Sequence, residues 1–129
     1  MSGVVLDASA LLAFLKGEAG GTMVKRQLAS AHISSVNLAE VASTFVHAGM
    51  PPDEVEAGLR DLPLTIVPFD AALAYRASAL RAVTAEKGLS LGDRCCLALA
   101  HSLGLPALTC DRTWADVAEV AGVKVKLAR

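Results

Sequence analysis

The stretch Val4-Val5-Leu6-Asp7, near the beginning of the 129-residue chain, decides the fold. Residues 3–6 form a continuous run that contains two β-branched residues, which is typical of a strand buried on both faces of a parallel sheet. A carboxylate directly after such a strand is costly to bury unless a cation or several hydrogen-bond donors stabilise it. Because ligands bind outside the carboxyl ends of the strands in an open α/β sheet, Asp7 is the first candidate for a functional residue.

Short apolar runs alternate with segments of helical periodicity along the rest of the chain. Further strands are predicted at residues 32–34, 64–67, 107–109 and 123–127, and helices at 9–16, 22–29, 38–49, 52–62, 71–84, 93–103 and 113–121. This alternation favours an α/β fold with three layers, in which a parallel sheet of about five strands has helices on both faces. No linker, repeat or low-complexity stretch interrupts the pattern, so we expect a single domain over residues 1–129.

Composition limits the possible functions. The chain is 53% hydrophobic and has a formal net charge of −1, so any contact with nucleic acid must come from local cations rather than from an overall basic field. The apolar run at residues 9–15 is too short to span a bilayer and lacks the flanks of a signal peptide, which favours a cytoplasmic protein without membrane contact. Three cysteines without zinc-ligand spacing favour reduced, buried thiols.

Asp7 is one of four acidic residues that stand where an apolar strand ends or a helix begins; the others are Glu40, Asp93 and Asp111. The carboxyl ends of parallel strands meet at one crevice, so acids that are distant in sequence can converge there. Crowded carboxylates repel one another unless a cation neutralises them, and hard oxygen ligands suit Mg²⁺ or Mn²⁺. The pattern therefore predicts a metal site.

Helix capping is the alternative explanation for three of these acids. Glu40 and Asp93 each lie three residues after a capping residue, in Asn37-x-x-Glu40 and Ser90-x-x-Asp93, and Asp111 can cap the helix that follows it. Capping explains each acid separately, but it does not explain why they recur at successive strand ends or helix starts.

Two further details bear on the acids. Asp93 shares a helix face with Cys96 and Ala100, which should pack inward, so its carboxylate is expected to point into the crevice. Asp116 lies close after Asp111 in the sequence and is the alternative for the last acidic position.

Four blocks of the sequence resemble, in order, the motifs of the PIN domain family, and specifically of the VapC-type toxins of bacterial toxin–antitoxin pairs. They are residues 4–13, 35–41, 89–98 and 108–111, and together they extend over almost the whole chain. None of the blocks is specific alone, but four in this order are. The resemblance implies an endoribonuclease that depends on Mg²⁺ or Mn²⁺, binds a small VapB-type antitoxin and forms a homodimer.

The resemblance also implies roles for the four acids. Asp7 and Asp93 would be the principal metal ligands, Asp111 would hold a second metal or its waters, and Glu40 would orient the attacking water or bind metal. A bound metal lowers the pKa of a coordinated water and neutralises charge on the phosphate, which fits phosphodiester hydrolysis.

Substrate contacts are expected from residues next to the acids. Ser9 and Thr109 are placed to hydrogen-bond to carboxylates or waters, although Ser9 can equally be a helix cap. Arg94 and Arg112 are candidates for binding RNA phosphates, with ordinary helix-surface arginines as the alternative. Trp114 either stacks on a base or packs in the core. The antitoxin is expected to cover the apolar helices around Met23, Leu28, Phe45 and Met50.

Other functions fit the sequence less well. Phosphatases that form an aspartyl-phosphate of the haloacid dehalogenase type need a second acid two residues after the nucleophile, where this chain has Ser9. Histidine acid–base catalysis has little support, because no histidine adjoins the acidic blocks. A PIN nuclease without an antitoxin, or a PIN-like module that only binds partners, remains the alternative.

Overall fold

A computed structural model describes residues 2–129 and places five strands in one sheet. The strands are β1 (Val4–Leu6), β2 (Ala31–Ser34), β3 (Thr65–Val67), β4 (Ala107–Thr109) and β5 (Val125–Leu127). Their order across the sheet is β3-β2-β1-β4-β5, and every neighbouring pair is parallel. The apolar strand β1 is therefore central, with Leu6 paired to Ile33 on one side and to Leu108 on the other.

Seven α-helices connect and cover the strands in residues 2–129. They are α1 (Ala8–Leu15), α2 (Gly21–Gln27), α3 (Ser35–His47), α4 (Pro52–Arg60), α5 (Ala71–Thr84), α6 (Leu91–Leu103) and α7 (Ala118–Ala121). Short 3₁₀ segments cover Leu28–Ser30, Ala85–Lys87 and Arg112–Asp116.

The two faces of the sheet pack into two separate cores. Val4 and Leu6 point to the core formed with α1 to α4, whereas Val5, between them, points to the core formed with α5 to α7. This alternation follows from the two-residue repeat of a strand, in which successive side chains lie on opposite faces. The predicted three-layer α/β fold with helices on both faces of a parallel sheet is confirmed.

Several predicted boundaries are wrong. The helix predicted at 113–121 is a 3₁₀ segment followed by the single turn of α7. Trp114 and Val117 are both fully buried, and their spacing of three residues matches the 3₁₀ repeat better than the α-helical one. Helix α3 begins at Ser35, three residues earlier than predicted, because Ser34 caps it by accepting a hydrogen bond from the Val36 amide.

All three cysteines are free and buried, as predicted.

No helix within residues 2–129 has the length and hydropathy that crossing a bilayer requires.

Candidate active site

The ends of the two central strands bring Asp7 and Thr109 side by side. β1 and β4 are paired through Leu6 and Leu108, and the amide of Asp7 continues the pairing by donating to the carbonyl of Leu108 at 3.2 Å. The residues that follow these strands therefore lie at the same edge of the sheet, as its parallel topology requires.

Asp7 is buried, with 5% of its surface exposed, and several donors hold its carboxylate. Its Oδ1 accepts from the Ala10 amide at 2.8 Å, and its Oδ2 accepts from the Thr109 hydroxyl at 2.5 Å. The Ser9 hydroxyl lies 2.8 and 2.9 Å from the two carboxylate oxygens and donates to them. Asp7 is thus the N-cap of α1, so of the two interpretations of Ser9 the helix cap is wrong.

Burial raises the pKa of Asp7 from its ordinary value of 3.8 to about 6. The hydrogen bonds from Thr109, Ala10 and Ser9 act in the opposite direction, and the nearby negative charge of Asp93 raises the pKa further. Burial therefore outweighs the three hydrogen bonds in its effect on the pKa of Asp7.

Ser9 and Thr109 also connect Asp7 to the chain that leaves β4. The Ser9 hydroxyl accepts from the Cys110 amide at 3.0 Å, and the Thr109 hydroxyl accepts from the Asp111 amide at 3.0 Å. Each of the two hydroxyls therefore contacts both the Asp7 carboxylate and a backbone amide that follows β4.

Asp111 is exposed and caps the 3₁₀ segment that follows it. Its Oδ1 accepts from the amide of Thr113 at 3.0 Å and from the hydroxyl of the same residue at 2.7 Å. The capping interpretation of Asp111 is therefore confirmed, and its role in metal binding stays a prediction. Asp116, also exposed, ends the same segment, and among the hydrogen bonds of residues 2–129 none ties it to Asp7.

Asp93 has the capping role that the sequence offers as one interpretation. It forms a capping box with Ser90, in which the Ser90 amide donates to the carboxylate at 2.9 Å and the Asp93 amide donates to the Ser90 hydroxyl at 3.1 Å. Its negative charge also contributes to the raised pKa of Asp7. The capping box is compatible with an electrostatic effect on Asp7, and metal binding by Asp93 stays a prediction.

Glu40 is held in a different way from the one that the sequence predicts. Because α3 begins at Ser35, Asn37 lies inside the helix rather than at its cap, so the predicted capping box is wrong. Instead, the Asn37 side-chain amide donates to Oε1 of Glu40 at 2.7 Å and to the carbonyl of Gly92 on α6 at 3.0 Å. Sequence reasoning missed Asn37 as a site residue, since its spacing to Glu40 was attributed to a cap.

The thiol of Cys96 on α6 is fully buried and is affected by the charges of several of the predicted acids. Burial raises the pKa of Cys96 well above its usual range, and the charges of Asp7, Asp93 and Glu40 raise it further. Three of the four predicted acids, contributed by three different elements, therefore act electrostatically on the same buried thiol. Within residues 2–129, hydrogen bonds from and to the Thr109 hydroxyl connect the Asp7 carboxylate to the backbone amide of Asp111.

The donor atoms suit a divalent cation, although they do not form a closed cage. Carboxylate and hydroxyl oxygens are the hard ligands that Mg²⁺ and Mn²⁺ prefer. Within residues 2–129, no group of three or more His, Cys, Asp or Glu side chains is arranged closely enough to hold a metal ion directly. Since Mg²⁺ usually keeps several of its waters, this donor set fits an ion bound partly through water.

The two arginines have different environments. Arg94 is buried against α5, where its Nη1 donates to the carbonyl of Ala77 at 3.5 Å, so the alternative of a surface arginine is wrong for it. This position also gives no support to a contact between Arg94 and phosphate. Arg112 is exposed directly after Asp111 and stays a predicted phosphate contact. Trp114 is fully buried, which confirms its place in the core.

An apolar groove lies between α1, α3 and α4. Its cavity has a volume of about 220 Å³, and Leu15, Phe45, Met50 and Val55 are among its lining residues. Phe45 and Met50 line this groove, whereas Leu28, which was also predicted to lie under the antitoxin, is buried in the core and is not available to a partner.

Comparisons with solved structures agree on the fold. One chain of the DNA-bound VapBC structure from Salmonella typhimurium is 19% identical in sequence to this protein. The alignment covers 100% of both chains, with a TM-score of 0.76. A toxin–antitoxin complex from Klebsiella pneumoniae is 21% identical with 98% of each chain covered and a TM-score of 0.74. VapC20 from Mycobacterium tuberculosis, a Sarcin-Ricin loop cleaving toxin, is 18% identical, with 88% of this chain and 94% of that chain covered and a TM-score of 0.70.

Comparison with curated proteins gives no match. The model of the PIN domain family matches residues 4–120, which include all four acids of the candidate site. The protein therefore belongs to the PIN domain family.

Proposed function

We propose that the protein is an endoribonuclease that depends on Mg²⁺ or Mn²⁺, acts in the cytoplasm and is the toxin of a toxin–antitoxin pair. The observation that supports this function most is the placement of three acids near the carboxyl end of the sheet: Asp7 is buried directly after β1, and Glu40 is held against Gly92, the residue before Asp93. A crevice with several carboxylates, one of them buried with a raised pKa, is a typical place for catalysis that uses a cation.

Asp7 and Asp93 are the residues that would hold the ion, with Asp111 supporting a second ion or its waters. When bound, a divalent ion activates a water and neutralises charge on the phosphate. The protein's own residues prepare the site: Ser9 and Thr109 fix the orientation of the Asp7 carboxylate, so that its two oxygens keep one direction. Glu40, at the rim of the crevice, orients the attacking water.

RNA is the proposed substrate. Support comes from the family and from the solved structure of VapC20, which is described as a toxin that cleaves the Sarcin-Ricin loop. Arg112 is the cation best placed to bind a phosphate beside the scissile one, because it is exposed next to Asp111.

A small antitoxin is the proposed partner. Solved structures with the same fold are toxin–antitoxin complexes, and the apolar groove between α1, α3 and α4 offers a surface for an amphipathic helix. A homodimer is proposed on the family resemblance alone.

The decisive experiment incubates the purified protein with a mixed RNA pool, with and without Mg²⁺, and maps the cut ends. We expect cleavage that EDTA abolishes and that Asp7→Asn removes while the circular dichroism spectrum is unchanged. Asp53→Asn, which changes an exposed acid on α4, is the matched control and should cleave normally. Cleavage that persists in excess EDTA would contradict the metal-dependent mechanism.

A further inference from the structure

We propose that Asn37 and Gly92 are positioning residues that together fix the carboxylate of Glu40. The catalytic consequence of this arrangement rests on the proposed function, whereas the arrangement itself does not. Asn37 lies on α3, and Gly92 lies in the first turn of α6. The site that these two residues form for the Glu40 carboxylate, called here the Glu40 seat, therefore lies between two helices.

The first component of the Glu40 seat is a buried amide. Asn37 is 1% exposed, and its Nδ2 donates both to Oε1 of Glu40 and to the carbonyl of Gly92. Both neighbours are acceptors, so the amide nitrogen must face them. Glu40 itself is an exposed residue, and a long exposed side chain ordinarily samples many rotamers. The buried side chain of Asn37 therefore restrains the exposed side chain of Glu40.

The second component of the Glu40 seat is the space left by Gly92, which has no side chain. A Cβ at this position would lie 2.5 Å from Oε1 and 2.5 Å from Oε2 of Glu40, and 2.7 Å from its Cδ. The carboxylate therefore rests directly on the backbone of α6. The backbone of Gly92 has no positive φ, so its conformation does not require glycine. Glycine is also a poorer helix former than alanine, so contact with Glu40 is the local reason for it.

The remaining atom of the amide supports the same conclusion. The Oδ1 of Asn37 is buried and accepts no hydrogen bond from residues 2–129. An unpaired buried acceptor lowers the stability of the folded state. The gain that offsets this cost comes from the other end of the amide, which donates to Glu40 and to the carbonyl of Gly92.

The seat sets the position of Glu40 relative to Asp93, because Gly92 is the residue before Asp93 on α6. The carboxylate also lies at the N-terminal turn of α6, where the helix dipole favours negative charge. Glu40 is therefore fixed against the same helix that presents Asp93, and the distance between the two acids does not depend on a flexible side chain.

Gly92→Ala is the sharpest test, because an added methyl group displaces Glu40 without disturbing the helix. Gly58→Ala is the matched control: Gly58 also lies in a helix, but a Cβ there meets nothing within 4 Å. We expect Gly92→Ala to fold normally and to shift the side-chain amide resonances of Asn37 in ¹H–¹⁵N spectra. Glu40→Ala should shift them too, and Gly58→Ala should leave them unchanged. Unchanged Asn37 resonances in Gly92→Ala would overturn the proposal.

Nuclease kinetics test the catalytic consequence separately. Asn37→Ala and Gly92→Ala should each lower kcat by roughly 10- to 100-fold with little change in KM, because a small misplacement of a catalytic group is enough for such a loss. Neither change should lower kcat further in a Glu40→Ala background. Full additivity in that background would show that both residues act independently of Glu40. If no RNA is cut by the unmodified protein, the proposed function fails, and the NMR comparison still decides whether the seat exists.

Discussion

The carboxylate of Asp7, at the end of β1, accepts a 2.5 Å hydrogen bond from the hydroxyl of Thr109, at the end of the neighbouring strand β4. The same hydroxyl accepts from the amide of Asp111. One threonine thus contacts the buried carboxylate of Asp7 and the backbone of the exposed Asp111. The first prediction follows from this double contact.

Thr109→Val removes the hydroxyl and keeps the shape of the side chain. We expect a loss of about 1–3 kcal/mol in the free energy of unfolding, because the Asp111 amide loses its acceptor and Asp7 loses a donor. The pKa of Asp7 should rise further, since the Thr109 hydrogen bond lowers it. Urea unfolding across a pH series measures both effects. Thr113→Val, which removes an exposed hydroxyl, is the control, and an equal loss in both variants would contradict this role of Thr109.

Metal-free protein should become less stable as the pH rises from about 4 to about 6. The unfolded chain releases the Asp7 proton near its ordinary pKa of 3.8, whereas the folded protein retains it up to a pKa of about 6. The folded state therefore binds more protons in this range, and the free energy of unfolding falls by on the order of 3 kcal/mol. Urea titrations in EDTA measure this slope. Asp7→Asn should abolish the fall, whereas Asp53→Asn should retain it.

Divalent ions should stabilise the folded protein through Asp7 and Asp93. An ion that binds only the folded state adds about 2.7 kcal/mol at a concentration 100 times its Kd. Thermal unfolding with and without Mn²⁺ should therefore show a higher Tm for the unmodified protein and little change for Asp7→Asn or Asp93→Asn. Asparagine at position 93 keeps an oxygen that can accept from the Ser90 amide, so the capping box survives. If Mn²⁺ raises the Tm of Asp7→Asn and Asp93→Asn as much as it raises the Tm of the unmodified protein, the ion binds elsewhere.

Arg112 and Arg94 should respond differently to replacement by alanine. Arg112 is exposed, so Arg112→Ala should raise the KM for RNA and reduce the salt dependence of binding without altering stability. Arg94 is buried against α5, so Arg94→Ala should instead lower the free energy of unfolding through lost packing. Binding at several salt concentrations, together with urea unfolding, distinguishes them. Weaker RNA binding by a fully stable Arg94→Ala protein would restore Arg94 as a phosphate contact.

Binding of the antitoxin should depend on the apolar groove. Met50 is 42% exposed and lines the groove, so Met50→Glu should prevent capture of the protein encoded by a small neighbouring reading frame while leaving RNA cleavage intact. Val83→Glu changes a similarly exposed apolar residue on α5 and should bind normally. Pull-down of the co-expressed pair is the measurement. Normal capture by Met50→Glu would move the proposed interface away from this groove.

Much of this fold was predictable from local sequence. The continuous apolar run of β1 and the alternation of strands and helices predict a parallel sheet, and the structure confirms it. The free, buried cysteines also follow from their number and spacing, and burial was one of the two interpretations of Trp114. Apolar runs, periodicity and cysteine spacing were sufficient for these features because each is visible over short stretches of sequence.

The details of the site depend on contacts between distant residues, which spacing does not reveal. Asn37-x-x-Glu40 matches a capping box, yet Ser34 caps the helix earlier and frees Asn37 to contact Gly92, 55 residues away. Arg94 follows a candidate ligand in sequence, but the helical rotation of about 100° per residue turns its side chain toward α5. Such features become visible only when the packing of α3, α5 and α6 is known.

Helix α3 contains Glu40 in its middle and Phe45 near its end, five residues and therefore about 7.5 Å apart along the axis. Under the proposed function, the first residue belongs to the catalytic crevice and the second to the surface that meets the antitoxin. A substitution that tilts or slides this helix to suit a new antitoxin also displaces the toxin's own glutamate. Substitutions that change which antitoxin is bound are therefore restricted to those that alter side chains and leave the axis of α3 in place.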